Sequence, residues 1–252
     1  MDVIRVSIGS EPLQLIPMLV LKSSILRRTR RPVEFSESWN PEQGWHPVLA
    51  EKTPLKSGTR FSGWRWIVPE LYENQGKAIY LDADQLLLVD IAELWEKLES
   101  DKMFAAVCNV DPAGLWGKRT LEKSGKKFRD KVQTSVMVMS CRQCEWVAEK
   151  LFQDVNVGRM EYSNLMQAAF LPRNRIQELT PRWNDFGIVR HDTRLIHYSH
   201  VGSQPYRNPN HPCAGVFETE LRYAVDSGMV TKEMLEREAE NRHIHKHWLK
   251  AA

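Results

Sequence analysis

The segment that most limits how this chain folds is Ala78–Leu88, AIYLDADQLLL, in which two carboxylates sit inside an otherwise apolar run. The apolar residues read as a buried strand entered at Lys77. Side chains alternate along a strand, so Asp82 and Asp84 project to one side while Ala83 faces the other. Two carboxylates held together repel and require a compensating cation. A hard divalent ion such as Mn²⁺ or Mg²⁺, whose preferred ligands are oxygens, meets that need. Ligands of open α/β sheets bind beyond the carboxyl ends of the strands, which is where this pair falls. As a bare Asp-x-Asp the pair also reads as turn residues or as caps for a helix starting near Asp90. The apolar flanks weigh against that, because carboxylates are seldom set among buried residues without a role.

Around this segment, short apolar runs alternate with helical patterns. The chain reads as a strand at Val3–Ile8, a helix over Leu13–Leu26 stopped by Pro32, and a strand at Val33–Phe35. A loop-rich stretch follows from Ser36 to Gly63, punctuated by Pro41, Gly44, Pro47, Pro54 and Gly58. Further helices are expected over Trp66–Glu73, Ile91–Leu98, Gln143–Asp154 and Tyr162–Phe170, and further strands at Phe104–Val110, Ser135–Met139 and Arg194–Tyr198. Two polar helices close the chain. Strands alternating with helices predict an α/β fold with a mainly parallel central sheet flanked by helices. With no internal repeat or linker, residues 1–252 read as one domain, the helices of 216–252 packing on it or extending from it.

The chain has 252 residues, 42% hydrophobic and 27% charged, which places it among ordinary globular proteins. Four scattered cysteines suit a reducing compartment. Leu13–Leu21 is broken by Pro17 and falls short of the roughly 20 apolar residues that span a bilayer. These features predict a soluble, cytoplasmic protein with no membrane span. A net charge of +3 names no partner by itself. Clusters at Arg27–Arg31 and Lys118–Lys131 are read first as solvated surface. The second precedes the Gln133 strand and so also points to an anionic acceptor: lipopolysaccharide core, a teichoic-type polymer or a hydroxymethylated nucleic acid.

The run RWIVPELYENQGKAIYLDADQLLLVDIAELW resembles the family eight glycosyltransferases, the group of glycogenin and the bacterial lipooligosaccharide galactosyltransferases. Arg65, Pro69 and Asp82–Asp84 match its spacing of arginine, proline, short helix, strand and Asp-x-Asp. IRVSIGS resembles the family's first strand and nucleotide-binding loop, implicating Ser7, Ile8 and Gly9. QTSVMVMS resembles its Met-rich strand, with Gln133, Thr134 and Ser135 in the polar positions. PRWND resembles the Trp-Asn element near the donor sugar, giving Trp183 and Asn184. LIHYSHVGSQPY resembles the closing His-Tyr segment and the loop over the diphosphate.

The resemblance implies a GT-A-type fold and a metal-dependent transferase that moves a sugar, in the first instance a UDP-linked hexose, to a hydroxyl acceptor with retention of configuration. It implies Asp84 as a direct ligand of Mn²⁺ or Mg²⁺, Asp82 between metal and ribose, and His197 as the nitrogen ligand. His200 is a rival, because the loop is one residue longer than usual; the Leu-Ile-His-Tyr context favours His197. Arg65 is implied to stabilise donor charge and Asp111 to meet sugar hydroxyls. Two departures bear on this. The family's Asp-Gln-Asp is matched here by Tyr162, Ser163 and Asn164, so Asn164 stands where a side chain faces the reacting sugar. Its Lys-Pro-Trp is matched by Gln204, Pro205 and Tyr206, which leaves Arg207 to take the lysine's place.

Other features carry less. Cys141-x-x-Cys144 lacks the second ligand pair of a zinc site, and His243 with His247 reads as a solvated helix end. Two alternatives remain: a nucleotide-sugar-binding module without turnover, and a haloacid dehalogenase-type phosphatase. Against the phosphatase, Gln85 and Leu86 follow the motif, which lies far from the first strand.

Overall fold

The computed structural model describes residues 2–108 and 131–252. In chain order the elements are β1 (Ile4–Gly9), α1 (Leu15–Leu26), β2 (Val33–Glu37), β3 (Trp39–Asn40), β4 (Gly44–Trp45), α2 (Pro47–Ala50), α3 (Trp64–Leu71), β5 (Lys77–Asp82), β6 (Gln85–Leu87), α4 (Ile91–Trp95), β7 (Phe104–Val107), β8 (Gln133–Ser140), α5 (Ala148–Asn156), α6 (Tyr162–Met166), β9 (Ile176–Leu179), β10 (Asp185–Phe186), β11 (Leu195–His197), α7 (Ala214–Asp226) and α8 (Lys232–Glu240). The main sheet runs β2-β1-β5-β8-β7-β9. β2, β1 and β5 are parallel, as are β7 and β9, and β8 alone runs against its neighbours. The sheet is therefore mainly parallel, as the alternating elements predict.

Both faces are covered, and the period-two alternation of each strand decides which side chain meets which layer. Ile4, Val6 and Ile8 of β1 join Ile79, Leu81, Val136 and Val138 beneath α1 and α4. On the other face Ala78, Tyr80, Phe104, Met137 and Met139 pack against Trp64, Trp66 and Ile67 of α3 and Phe152 of α5. Most of the tryptophans are thus core, as expected. α1 is apolar all round, which marks a helix covered on more than one side. Leu15, Met18 and Leu21 meet the sheet, while Ile16 and Val20 meet Phe217 and Leu221 of α7 and Leu235 of α8. Pro17 falls in its first turn, where no intrahelical donor is lost.

α7 is fixed to the end of α1 by an ion triad around the buried Glu220, which accepts from Arg27 (Nε, 2.9 Å) and from Arg28 (Nη1, 3.0 Å). Two of the four arginines of the Arg27–Arg31 cluster therefore hold the C-terminal helices in place and are not free surface charge.

Several boundaries differ from the sequence reading. The loop-rich stretch contains the β3–β4 hairpin and α2. β7 ends at Val107, and the residues from 109 to 130, with Asp111 and most of the Lys118–Lys131 cluster, lie outside the described residues. β9 has two of its four residues polar, and β6 and β10 are two or three residues long, too short for periodicity to announce, whereas β11 falls within the strand expected at Arg194–Tyr198. β10, β11 and β6 form a second small sheet beside the end of β5.

Candidate active site

The acidic pair sits where the chain passes from one sheet to the other. β5 ends at Asp82, β6 begins at Gln85, and Ala83 between them donates its backbone N–H to the Gly9 carbonyl (2.9 Å) and is fully buried. That bond turns Ala83 into the core and leaves both carboxylates on the open side. The backbone N–H of Tyr198 donates to the Asp84 carbonyl (2.9 Å), and β11 pairs with β6, so the end of β11 is carried alongside. His197 thereby arrives at the pair, its Nε2 3.4 Å from Asp84 Oδ1.

Asp82, Asp84 and His197 are all buried and offer ligand atoms within 4.8 Å of one another. A small divalent cation bound at about 2.1 Å spaces adjacent ligands about 3 Å apart and opposite ones about 4.2 Å. The 3.4 Å between His197 Nε2 and Asp84 Oδ1 falls within that range, and two hard oxygens with one imidazole nitrogen suit Mn²⁺ or Mg²⁺.

Each ligand is held by a partner that leaves one atom free. Asp82 Oδ1 accepts from Arg65 Nη2 (2.9 Å) and from the Tyr80 hydroxyl (2.5 Å), which leaves Oδ2 for a cation. Asp84 Oδ2 accepts from Gln204 Nε2 (2.9 Å), leaving Oδ1 toward His197. Asn184 Nδ2 donates to Ser135 Oγ (3.0 Å), which orients the amide so that its Oδ1 accepts from His197 Nδ1 (3.0 Å). The proton is thereby placed on Nδ1 and the Nε2 lone pair faces the carboxylates, the tautomer a metal ligand needs.

The electrostatics follow. Burial pushes the Asp82 carboxyl above its ordinary value, with Arg65 opposing and Asp84 reinforcing the rise. Burial works against the Arg65 guanidinium too, but Asp82, Tyr80 and Tyr162 outweigh it and hold its pKa above the ordinary arginine value. Two buried carboxylates with one fixed arginine leave a deficit of positive charge, which a divalent cation would correct.

Residues 61–203 match glycosyl transferase family 8. The chain belongs to that family. Protein CDI of Arabidopsis thaliana is 30% identical over 137 residues, covering 48% of this chain and 53% of its own, so the chain spans about half the length of that curated relative. The bifunctional glycosyltransferase WbbM superposes with a TM-score of 0.65 at 15% identity, over 87% of this chain and 50% of that one. The galactosyltransferase LgtC, solved with donor and acceptor sugar analogues, gives 0.62 at 12% identity over 95% and 100%. GlyE of Streptococcus pneumoniae TIGR4 gives 0.61 at 13% over 96% and 64%. At these identities the likeness is one of fold, the GT-A type.

Against this family 8 frame the predicted residues separate clearly. Arg65, Asp82, Asp84, His197 and Gln204 come together. His200 does not; it is exposed and its Nδ1 lies 2.8 Å from Ser203 Oγ. Ser7 lies on β1 opposite Tyr80, and its Oγ accepts from Ser36 Oγ (3.0 Å). Gly9 pairs with Asp82, and a Cβ there would fall 2.2 Å from the Tyr80 hydroxyl, so the close approach requires glycine. The Ile8 side chain is fully buried under α1; it reaches the loop only through its carbonyl, which accepts from Ser38 N (3.0 Å). Gln133 opens β8 at the site end of the sheet, where the next residue, Thr134, accepts from Arg65 Nη1 (2.8 Å) and donates to the Met166 carbonyl (2.7 Å). Asn164 is exposed on α6, and α6 meets the cluster through that carbonyl instead.

Trp183 requires correction. It is 1% exposed in the core, with Arg194 over its ring at 5.3 Å, and has no free face on which a sugar could stack. Its neighbour Asn184 is the member of that element that reaches the site. Tyr80 was missed, although it stands two residues before Asp82 on the same strand face, a signal the alternation supplies. The lesser features are structural. Cys141 and Cys144 are buried core thiols, the former pushed up to about 11 by burial, and His243 is engaged by Glu238 Oε2 at 2.7 Å.

Proposed function

We propose that this family 8 glycosyltransferase moves a hexose from a UDP-linked donor to a hydroxyl acceptor, with retention of configuration and dependence on Mn²⁺ or Mg²⁺. The observation that carries the reading is the buried Asp82–Asp84–His197 group with Arg65 locked onto its first carboxylate. Asp84 Oδ1, Asp82 Oδ2 and His197 Nε2 are the atoms that would hold the ion. A bound divalent cation supplies fixed positive charge beside a departing diphosphate. The chain's own part is to keep those atoms unprotonated and aimed, through Arg65, Tyr80, Gln204 and Asn184, so that little reorganisation is needed during reaction. Arg65, buried and charged, adds a further fixed positive charge. The Gly9 backbone would face the nucleotide along β1, supported by the fully buried Ser7, with Gln133 on the approach along β8 and Asn164 on the sugar side. No strong base among the described residues joins the group, in keeping with retention in which the departing phosphate oxygen takes the acceptor's proton. Among the described residues no helix is long and apolar enough to cross a membrane, and all four cysteines are free. The free thiols support a reducing, cytoplasmic setting.

The test is a panel of nucleotide sugars assayed for Mn²⁺-dependent release of nucleoside diphosphate, with Asp84→Ala as control. Turnover of one donor only with metal, absent in the control, is the expected result. No binding of any nucleotide sugar, with or without metal, refutes the proposal. A product of inverted anomeric configuration by NMR refutes retention alone.

A further inference from the structure

Beyond the family-matched segment, the chain builds a second cationic site on the back of the loop that holds Asp84. That loop runs from Gln204 to Arg207. At one end Gln204 donates to Asp84; at the other, the loop is clasped by the C-terminus. The backbone N–H of His245 donates to the Tyr206 carbonyl (2.7 Å), and Trp248 Nε1 donates to the carbonyls of Pro205 (3.2 Å) and Tyr206 (3.1 Å). The clasp encloses a cleft of about 380 Å³ lined by Arg207, Ala239, Arg242, Ile244, His245 and Lys246. Three of the six are cations, one is a histidine and none is a carboxylate.

Several arginines elsewhere are paired with carboxylates, Arg27 and Arg28 with Glu220, Arg31 with Glu96 and Arg65 with Asp82, whereas among the described residues the exposed Arg30, Arg60 and Arg142 are not. Among the described residues Arg207, Arg242 and Lys246 make no ion pair and no side-chain hydrogen bond; Arg207 lies over the Tyr206 ring (5.9 Å) and acts on the Glu11 carboxylate only at longer range. The Nε of Arg207 is moreover buried without a partner. A buried unpaired donor is costly and signals a missing acceptor. Arg242 also adopts a left-handed φ of 60°, unusual for a residue with a Cβ, which accompanies the turn that brings it to the cleft.

We propose that this cleft is an oxyanion subsite for a phosphate or diphosphate group, adjoining the donor site across the 204–207 loop. Two arginines and a lysine lining one cleft, with no carboxylate in that lining, favour phosphate oxygens. Two sources share that chemistry: the diphosphate of the donor, or a phosphate carried by the acceptor. The proposal uses the transferase reading only to name the neighbouring site, and its test does not require turnover.

The test is calorimetric titration with inorganic pyrophosphate in the presence of EDTA, which removes the Asp82–Asp84–His197 centre from the measurement. The variant is Arg242→Asn with Lys246→Gln; asparagine tolerates the left-handed turn and both positions are exposed, so the core is untouched. The unchanged protein and Asp84→Asn are expected to bind pyrophosphate alike. The double variant should bind at least about tenfold more weakly, the loss of one or more charge-assisted contacts. Equal binding by the double variant, or none by the unchanged protein, overturns the proposal. UDP affinity with Mn²⁺ then separates the sources: weakening in the double variant identifies the donor's diphosphate, and no change identifies the acceptor's phosphate. Failure of every donor in the nucleotide-sugar panel would refute the transferase reading and leave the pyrophosphate result standing.

Discussion

Replacing Gly9 by alanine should damage the metal centre without touching any metal ligand. The added Cβ falls 2.2 Å from the Tyr80 hydroxyl, 3.0 Å from its Cζ and 3.1 Å from Phe61 Cδ2. Ordinary contact begins at 3.4 Å, so the hydroxyl must retreat by about 1.2 Å. The Tyr80 ring is fully buried and has no room to swing, and Phe61 closes another side. Overpacking of this kind costs about 1–3 kcal/mol. A retreat also breaks the Tyr80–Asp82 hydrogen bond, worth roughly 1.5–3 kcal/mol for a charged acceptor.

Tyr80→Phe alone forfeits only the second amount. With phenylalanine present the hydroxyl is gone, the nearest atoms stand at about 3 Å, and Gly9→Ala should cost less than about 1 kcal/mol. The two substitutions are therefore coupled, and the double variant should be more stable than the sum of singles by about 1.5–6 kcal/mol, the steric relief together with the hydrogen bond already lost. Urea unfolding of the four proteins measures this, with Mn²⁺ titration as a second readout; either single variant should lose about tenfold in affinity as Asp82 loses its orienting partner. An equal cost for Gly9→Ala in both backgrounds, within about 0.5 kcal/mol, would refute the assignment of the hydroxyl as the obstacle.

Asn184→Ala frees the His197 ring and should weaken Mn²⁺ binding about 10–100-fold by calorimetry, with a stability loss of about 1–3 kcal/mol from the buried partners it leaves unpaired. Because the folded Asp82 carboxyl titrates above its ordinary value, Mn²⁺ affinity should fall as pH drops through that raised value, protonation removing a ligand oxygen; a flat affinity from neutral to acid pH would contradict this. Glu220→Gln leaves Arg27 and Arg28 without their carboxylate and should cost about 3 kcal/mol, the low end for a buried pair since Arg27 is 33% exposed. Burial raises the Glu220 pKa, but the bonds from Arg27 and Arg28 outweigh it and hold the value below 4.5. Its stabilisation is thus complete above that pH and lost as pH falls through the depressed value. Urea midpoints should converge for wild type and Glu220→Gln in acid.

How far the sequence carries depends on where each signal is stored. The Asp82–Asp84 pair is readable because strand alternation is local and its apolar flanks are long. Pairing Arg65 with Asp82 follows from the resemblance, since the 17 positions that separate them span a helix, a turn and a strand whose packing no periodicity supplies. The choice of His197 over His200 was visible only as context in the sequence. In the structure it rests on β11 pairing with β6, which fixes which of the two side chains turns toward Asp84. Trp183 misleads for the same reason: a tryptophan beside an asparagine carries no mark of which one faces the core. The role of Arg27 and Arg28 was hidden by distance, their partner Glu220 lying some 190 positions on.

The site's logic is that every ligand atom is chosen by the satisfaction of its twin. Asp82 is filled at Oδ1, Asp84 at Oδ2 and His197 at Nδ1, each by a different element: α3 and β5, the 204–207 loop, and the segment before β10. Loss of one orienting partner therefore should loosen one ligand and spare the others, and the effects of Tyr80→Phe and Asn184→Ala on Mn²⁺ affinity should add. Gln204 is the exception, because its loop is also tied to Tyr206, Trp248 and the cationic cleft.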